Sequence, residues 1–196
     1  MRLTPGAEMD EHVSRARSLA LVLTCVLMNL GLGALVAAVK LPFYLDSIGT
    51  VLGAYLGGLW VGVAVAVLSV LIGSLYSPTL WAYAGTAVLV AGYVRVVTPW
   101  GYLRSVWRTA AFGLLLGGVA AVASAPVTVL VWQGASLTGA DVVTAFFSAA
   151  GQTLADSVVL GGLSTDPVDK LLTSLVALAV VRRVPRRWRP GDAAGG

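Results

Sequence analysis

From Ser18 to Val39 the chain contains no charged residue. An α-helix needs about 20 apolar residues to cross the hydrocarbon core of a bilayer, and this run provides them. It is too long for the apolar region of a secretory signal peptide, and no clear small-residue cleavage site accompanies it. The sequence therefore predicts that Ser18–Val39 is a membrane-spanning helix and not a cleaved leader.

The composition extends this prediction to the whole chain. Hydrophobic residues make up 58% and charged residues 11% of the 196 residues, whereas a soluble domain carries about 25% charged residues. The apolar runs do not alternate with polar residues, as the strands of an outer-membrane barrel do. The 23 glycines are typical of membrane helices that pack with their backbones close together. We therefore expect an all-α, polytopic membrane protein.

Prolines and short polar turns divide the chain into a polar tail (residues 1–17), a six-helix transmembrane bundle (residues 18–184) and a basic tail (residues 185–196). Ala140–Leu160 is interpreted as an extra helix or re-entrant segment, and Pro126 is expected to kink or break the fifth span. The six predicted spans are Ser18–Val39, Asp46–Gly58, Leu59–Leu75, Leu80–Val97, Val106–Trp132 and Val168–Val184.

The basic residues are distributed unequally between the two sides of this bundle. With the N-terminus in the cytoplasm, all but two of the 13 basic residues fall on the inner side, and only Lys40 and Lys170 fall on the outer side. Cytoplasmic loops carry the excess of Lys and Arg, so both termini are predicted to be cytoplasmic, in the cell (plasma) membrane. The arginine cluster at residues 182–189 is interpreted as a stop signal near anionic lipid and not as a nucleic-acid site.

Acidic and aromatic residues gather on the predicted outer side. An outward-opening pocket lined by carboxylates and rings would suit a small polar or cationic ligand. Simpler interpretations stay open: Tyr and Trp are enriched at membrane interfaces, Asp46 is placed to cap the second span, and Asp169 and Lys170 are placed to form a cap and a local ion pair. The candidate ligand-binding residues are Tyr44, Asp46, Tyr76, Trp81, Tyr83, Gln152 and Asp156.

The sequence offers little support for an enzyme. No Gly-x-x-x-x-Gly-Lys-Ser/Thr phosphate loop occurs, so the chain has no ATPase motif of that type. His12 and Cys25 are the only residues of their kinds, which predicts no metal cluster and no bound cofactor. Gln152 and Asp156 are expected on one helical face, where they would need partners away from lipid.

Three stretches carry a resemblance to a known family. "LPFYLDSIGTVLGAYLGGLWVGVAVAVLSVLIGSL", "SPTLWAYAGTAVLVAG" and "STDPVDKLLTSLVALAVVRRVP" resemble the substrate-binding S components of energy-coupling-factor (ECF) transporters. The likeness covers roughly residues 14–187. It implies a membrane subunit that binds a vitamin-like micronutrient from outside and docks on a T component with two ABC ATPases.

The resemblance also implies particular sites. The family's Ala-x-x-x-Ala pattern on the first helix, which packs against the T component, is matched by Ala16 and Ala20. The family's ligand site lies in the outer connections, which here contain residues 44–47, 76–83 and 152–170. No motif fixes the substrate, and His12 alone argues against a metal-carrying member.

Two other functions stay open. The chain would also fit a transmembrane ligand-sensing input protein coupled to a kinase. A structural or assembly protein of the membrane would need no pocket. Co-purifying ATPases, a co-purifying kinase, or neither would distinguish the three.

Overall fold

The computed structural model describes residues 5–185, with side chains from Ser14 onward. This part of the chain is helical, without a strand. Short 3-10 turns cover Pro78–Tyr83, Thr98–Trp100 and Tyr102–Arg104. The α-helices are α1 (Pro5–Ala38), α2 (Ile48–Gly57), α3 (Leu59–Gly73), α4 (Ala84–Val97), α5 (Val106–Leu130), α6 (Asp141–Ala149) and α7 (Leu154–Arg183).

The all-helical prediction is confirmed over residues 5–185. Within them, three helical stretches are long and apolar enough to cross a membrane: Ser14–Ala38, Pro78–Trp100 and Val106–Leu130. Helices α2 and α3 are apolar but shorter than a bilayer crossing requires. Six spans and cytoplasmic termini stay predictions.

Helices α2 and α3 form a tight hairpin with no loop between them. Gly58 joins them with a φ of 85°, a left-handed conformation that glycine adopts without strain. Gly62 lies directly against Ala54, because a Cβ built at Gly62 would be 2.8 Å from the Ala54 Cα. Residues 48–55 of α2 are all buried, so α2 is an inner helix surrounded by the rest of the bundle.

Helices α5 and α7 share the most extensive helix–helix interface. Gly113 and Gly117 are four residues apart on one face of α5, and they bring it against the α7 backbone at Leu171 and Pro167. A Cβ built on Gly113 would lie 2.7 Å from the Leu171 Cα, and one built on Gly117 would overlap Pro167. Two glycines at this spacing allow membrane helices to approach closely.

The prediction that the last helix begins at Val168 is wrong. Helix α7 begins at Leu154 and contains Pro167 in its interior, although proline removes one helical hydrogen bond and crowds the preceding turn. Gly117 of α5 lies against Pro167 and leaves it room. Helix α5 likewise continues through Pro126 to Leu130.

Of the two interpretations of Ala140–Leu160, a single extra helix is wrong, whereas a re-entrant segment stays a prediction. The region contains the nine-residue α6, a turn at residues 150–153 and the first turns of α7. Helix α6 packs on α7 where Gly161 meets Thr144. The second turn of α7 is therefore covered by α6.

One end of the bundle is filled by aromatic rings. Tyr102 stacks on Phe112 with ring centroids 3.8 Å apart, and Tyr55 meets Tyr102 edge-on at 5.8 Å. Tyr93 adds a further ring, 5.6 Å from Phe112. These four residues, called the aromatic end below, come from the last turns of α2 and α4, the start of α5 and the turn before it.

Candidate ligand-binding site

A cavity of about 140 Å³, with a mostly apolar lining that contains several polar groups, lies at the opposite end of the bundle. It is lined from the start of α2 and α4, the end of α3, the second half of α5, the middle of α1 and α7, and two connections. Hydroxyl groups are its commonest polar feature, contributed by Ser47, Thr50, Ser69, Thr86, Ser124, Thr128, Ser136 and Thr138, besides the tyrosines Tyr44, Tyr76 and Tyr83.

Charged side chains form one side of this cavity. Asp46, Asp166 and Lys170 line it, and the Lys170 ammonium forms an ion pair with the neighbouring Asp169. Asp166, Asp169 and Lys170 are all buried on α7. Four ionisable groups in so small a volume interact strongly, because the surroundings screen charge less than water does.

Asp169 clamps the connection between α1 and α2 onto α7. The backbone N–H groups of Tyr44 and Leu45 donate to Asp169 Oδ1 at 2.9 and 2.8 Å. Leu45 has a φ of 46°, which is uncommon for a residue with a side chain. Two successive N–H groups converging on one carboxylate oxygen hold this strained backbone in place and position Tyr44 and Asp46.

Asp46 and Asp166 lack the pairing that Asp169 has. Within residues 14–185, no Lys, Arg or His nitrogen lies at ion-pair distance from either carboxylate, and the hydrogen bond from Thr165 to Asp166 is long at 3.5 Å. The cavity therefore has two carboxylates without a dedicated cation.

A second acid, Asp141, holds the turn at residues 136–138 beside the cavity. Asp141, in the first turn of α6, accepts hydrogen bonds from the Ser136 hydroxyl and from the backbone N–H groups of Leu137 and Thr138. This turn supplies Ser136 and Thr138 to the cavity. Asp141 thus has a structural role in fixing that loop.

The remaining hydroxyl wall lies between α4 and α5. The hydroxyls of Tyr83 and Thr128 are hydrogen-bonded at 2.9 Å. Both residues line the cavity. This bond fixes the Tyr83 ring at the cavity wall.

Asn29 closes the deep end of the cavity and joins three helices. Its side-chain N–H groups donate to the hydroxyls of Thr50 and Ser69 at 3.0 Å each, and its Oδ1 accepts from the Gly49 N–H at 2.6 Å. Gly49 has no room for a side chain, because a Cβ there would overlap the Cys25 carbonyl. Every polar atom of the buried amide therefore has a partner, as burial requires.

The structure brings together four of the seven candidate ligand-binding residues. Tyr44, Asp46, Tyr76 and Tyr83 line the cavity. The other three, Trp81, Gln152 and Asp156, lie outside its lining: Trp81 packs edge-on against Trp132 with centroids 6.2 Å apart, and Gln152 and Asp156 are exposed. Ligand contact by any of the seven stays a prediction.

Three local expectations are corrected. Ser47 and not Asp46 occupies the N-cap position of α2. Asp169 and Lys170 lie in the interior of α7 and cannot cap it, although their ion pair is confirmed. Gln152 lies in the turn before α7, so it does not share a helical face with Asp156, whose carboxylate accepts from the Thr153 hydroxyl instead.

Sequence reasoning did not name Asn29, Asp166 or Lys170 as candidates, although all three line the cavity and the last two lie within the connection at residues 152–170 that the resemblance indicated. It also did not name the serine and threonine hydroxyls of the lining. The signal for Asn29 was available, because it is the one amide in an otherwise apolar span, and polar residues within membrane helices face the protein interior. Asp166 and Lys170 lay beside a proline that suggested a helix boundary. A continuous helix places them four residues apart on one face.

The proposed docking residues lie far from the cavity. Ala16 and Ala20 are both exposed on the N-terminal half of α1. Within the described residues, no group of three or more His, Cys, Asp or Glu side chains is arranged to hold a metal ion.

Comparisons with protein-family models, with curated proteins and with solved structures find no match.

Proposed function

We propose that this chain is the substrate-capture subunit of an ECF transporter. It binds a vitamin-like micronutrient in this cavity from the outer face of the cell membrane. A separate T component and two ABC ATPases then drive delivery to the inside. The chain itself needs no ATPase motif in this arrangement.

One observation carries the proposal. Residues from all three stretches that resemble the S components line the same cavity: Tyr44 and Asp46 from the first, Tyr83 from the second, and Asp166 and Lys170 from the third. These stretches are far apart in the sequence. Their convergence on one concave, hydroxyl-rich site is the arrangement expected of a small-molecule binding site.

The closed aromatic end supports a capture role over a channel. A channel needs a continuous polar path, whereas here the rings of Tyr55, Tyr102 and Phe112 pack together across the end opposite to the cavity. A ligand in the cavity would thus need a conformational change of the subunit to leave on that side. Such a change is what partner subunits with ATPase activity could drive.

Co-purification tests the proposal. The tagged protein, expressed in its own cells and gently extracted, should retain a T component and two ATPases in native mass spectrometry. A retained kinase would favour the sensor function instead. A protein that retains neither, and that supports no uptake, would contradict a transport role.

A matched pair of variants makes this test specific. Ala16→Leu with Ala20→Leu should abolish retention of the T component, because bulky side chains keep a partner helix at a distance. Ala34→Leu with Ala38→Leu has the same spacing on an exposed part of the same helix and should leave retention unchanged. Equal effects of the two pairs would contradict docking at Ala16 and Ala20.

A further inference from the structure

The charges around the cavity do not balance. Lys170 is the one cationic residue in the cavity lining, and its ammonium is already paired with Asp169. The carboxylates of Asp46 and Asp166 remain. When all four groups are ionised, two negative charges are left without a partner, one on the buried Asp166 and one on the half-buried Asp46.

This imbalance discriminates between classes of ligand. An uncompensated carboxylate away from water is costly, and a positive charge placed beside it removes much of that cost. An anionic ligand would meet two carboxylates and a lysine that is already neutralised. A neutral ligand would bring no positive charge to either carboxylate, which would then remain ionised at a cost or take up a proton.

A second feature favours a ligand that can form a hydrogen bond with a hydroxyl group. The Ser47 hydroxyl is buried and lines the cavity next to Asp46, yet it has no hydrogen-bond partner among the described residues. Buried polar groups in native proteins nearly always have a partner. A ligand N–H in the cavity would provide one.

The volume of the cavity and its aromatic rings further restrict which ligands would fit. Its volume of about 140 Å³ is close to that of an engineered protein cavity of about 150 Å³ that accommodates benzene. The Lys170 ammonium already lies over the Tyr44 ring, 5.9 Å from its centroid. The rings of Tyr76 and Tyr83 remain for a ligand cation, which aromatic faces attract.

We propose that the cavity takes a compact organic cation about one ring in size, whose protonated nitrogen lies between the carboxylates of Asp46 and Asp166. Asp169 has a different role, since it neutralises Lys170 and clamps the α1–α2 connection. The inference deepens the proposed function and rests on this cavity being the substrate site.

Three probes of one size but different charge test the proposal on the purified full-length chain. Benzylamine carries a positive charge near neutral pH, benzyl alcohol is neutral and benzoate is negative. Benzylamine should raise the melting temperature with a saturable dose response, and isothermal titration should show one site. Equal responses to the three probes, a preference for benzoate, or no saturable response to benzylamine would overturn the proposal.

Two variants then test whether the protonated nitrogen of benzylamine lies beside Asp166 and Asp46. Asp166→Asn should weaken benzylamine binding at least about ten-fold, while the unliganded protein should be as stable as the parent or more so, because an unpaired buried carboxylate has been removed. Asp46→Asn should also weaken binding, which keeps the test decisive if Asp166→Asn fails to fold. Full affinity in a folded Asp166→Asn or Asp46→Asn protein would overturn the assignment of that carboxylate.

A variant of Asp156 distinguishes ligand binding in the cavity from ligand binding at Asp156, which the sequence analysis suggested. Asp156→Asn removes the same charge from the exposed first turn of α7. If the cation binds in the cavity, benzylamine affinity should be unchanged in this variant. A loss as large as that of Asp166→Asn would place the cation elsewhere and overturn the proposal.

The outcome is independent of the partner subunits. Failure to bind benzylamine together with retained ATPases would reject the cationic substrate and keep the transport role. Saturable benzylamine binding in a protein that retains no T component would support the cationic ligand and reject the transport role.

Discussion

The two ends of the bundle are built from the same helices but are held together differently. At the aromatic end, α2, α4 and α5 contribute rings that fill the space between them. At the cavity end, the same helices contribute hydroxyls, and the connections are held by the carboxylates of Asp169 and Asp141. Ring packing fills space, whereas hydrogen bonds at fixed points allow a cavity to remain.

This difference indicates where each kind of substitution should matter. Apolar packing is tolerant of polar deletions but sensitive to volume. A buried hydrogen-bonded network is sensitive to the loss of a single partner. Substitutions at the two ends and at the interface between them test this contrast, and the free energy of unfolding of each variant is measured by denaturant titration in mixed micelles.

The largest loss is expected from Asp169→Ala at the cavity end. This substitution breaks the ion pair of the buried Lys170 ammonium, which then has only the more distant carboxylates of the cavity near it. It also frees the N–H groups of Tyr44 and Leu45. Breaking a buried ion pair in this way costs about 3–5 kcal/mol. Adding Lys170→Met to the variant should recover part of the loss, and a purely additive double variant would refute coupling through the ion pair.

A single methyl group tests the α5–α7 interface that connects the two ends. Gly117→Ala should destabilise the protein by about 2–3 kcal/mol, because the new Cβ meets the backbone at Pro167. Gly118→Ala is the matched control, since nothing lies within 4 Å of its Cβ position, and it should be neutral or stabilising by up to about 1 kcal/mol. Similar effects at the two positions would mean that the close approach does not contribute to stability.

The buried Asn29 amide provides the next test, since Asn29→Leu should lower the free energy of unfolding by about 1–2 kcal/mol. The Thr50 and Ser69 hydroxyls can rotate to carbonyls of their own helices, so the Gly49 N–H is the group left without its acceptor. Ser18→Ala serves as the control on the same helix, because that exposed hydroxyl donates to the Ser14 carbonyl one turn earlier in the helix. An unchanged Asn29→Leu protein would show that helix packing, and not the amide, joins α1 to α2 and α3.

The smallest effect is expected from removing one hydroxyl at the aromatic end. The Tyr102 hydroxyl is buried without a partner in the described part of the chain, so Tyr102→Phe should change stability by less than about 0.5 kcal/mol. Tyr83→Phe at the cavity end removes the bond to Thr128 and should cost about 1 kcal/mol. A larger loss of stability in Tyr102→Phe than in Tyr83→Phe would contradict the distinction between the two ends.

The sequence predicted the helices best where apolar runs ended at turn residues. The expected second, third and fourth spans agree with α2, α3 and α4 within a few residues. The error at α7 arose from Pro167, because local sequence cannot show that Gly117 on another helix makes room for it. Helix boundaries at prolines depend on tertiary packing, which a single sequence does not contain.

The candidate site was predicted in part for the same reason. The unequal distribution of acidic and aromatic residues indicated Asp46 and the three tyrosines Tyr44, Tyr76 and Tyr83, which do line the cavity. It could not distinguish Asp166, which is left unpaired, from Asp169, which pairs with Lys170, because that difference depends on the path of the α1–α2 connection. Gln152 and Asp156 looked buried only while they were assigned to a helical face.

The position of α2 has a consequence for how the protein is made. Its ten residues rise only about 15 Å, half of the roughly 30 Å hydrocarbon core, and it packs against α1, α3, α4 and α7. A helix this short would not cross a bilayer by itself. Its contacts with α7, about a hundred residues further along the described chain, can form only after α7 has been synthesised, so α2 acquires its full set of neighbours late.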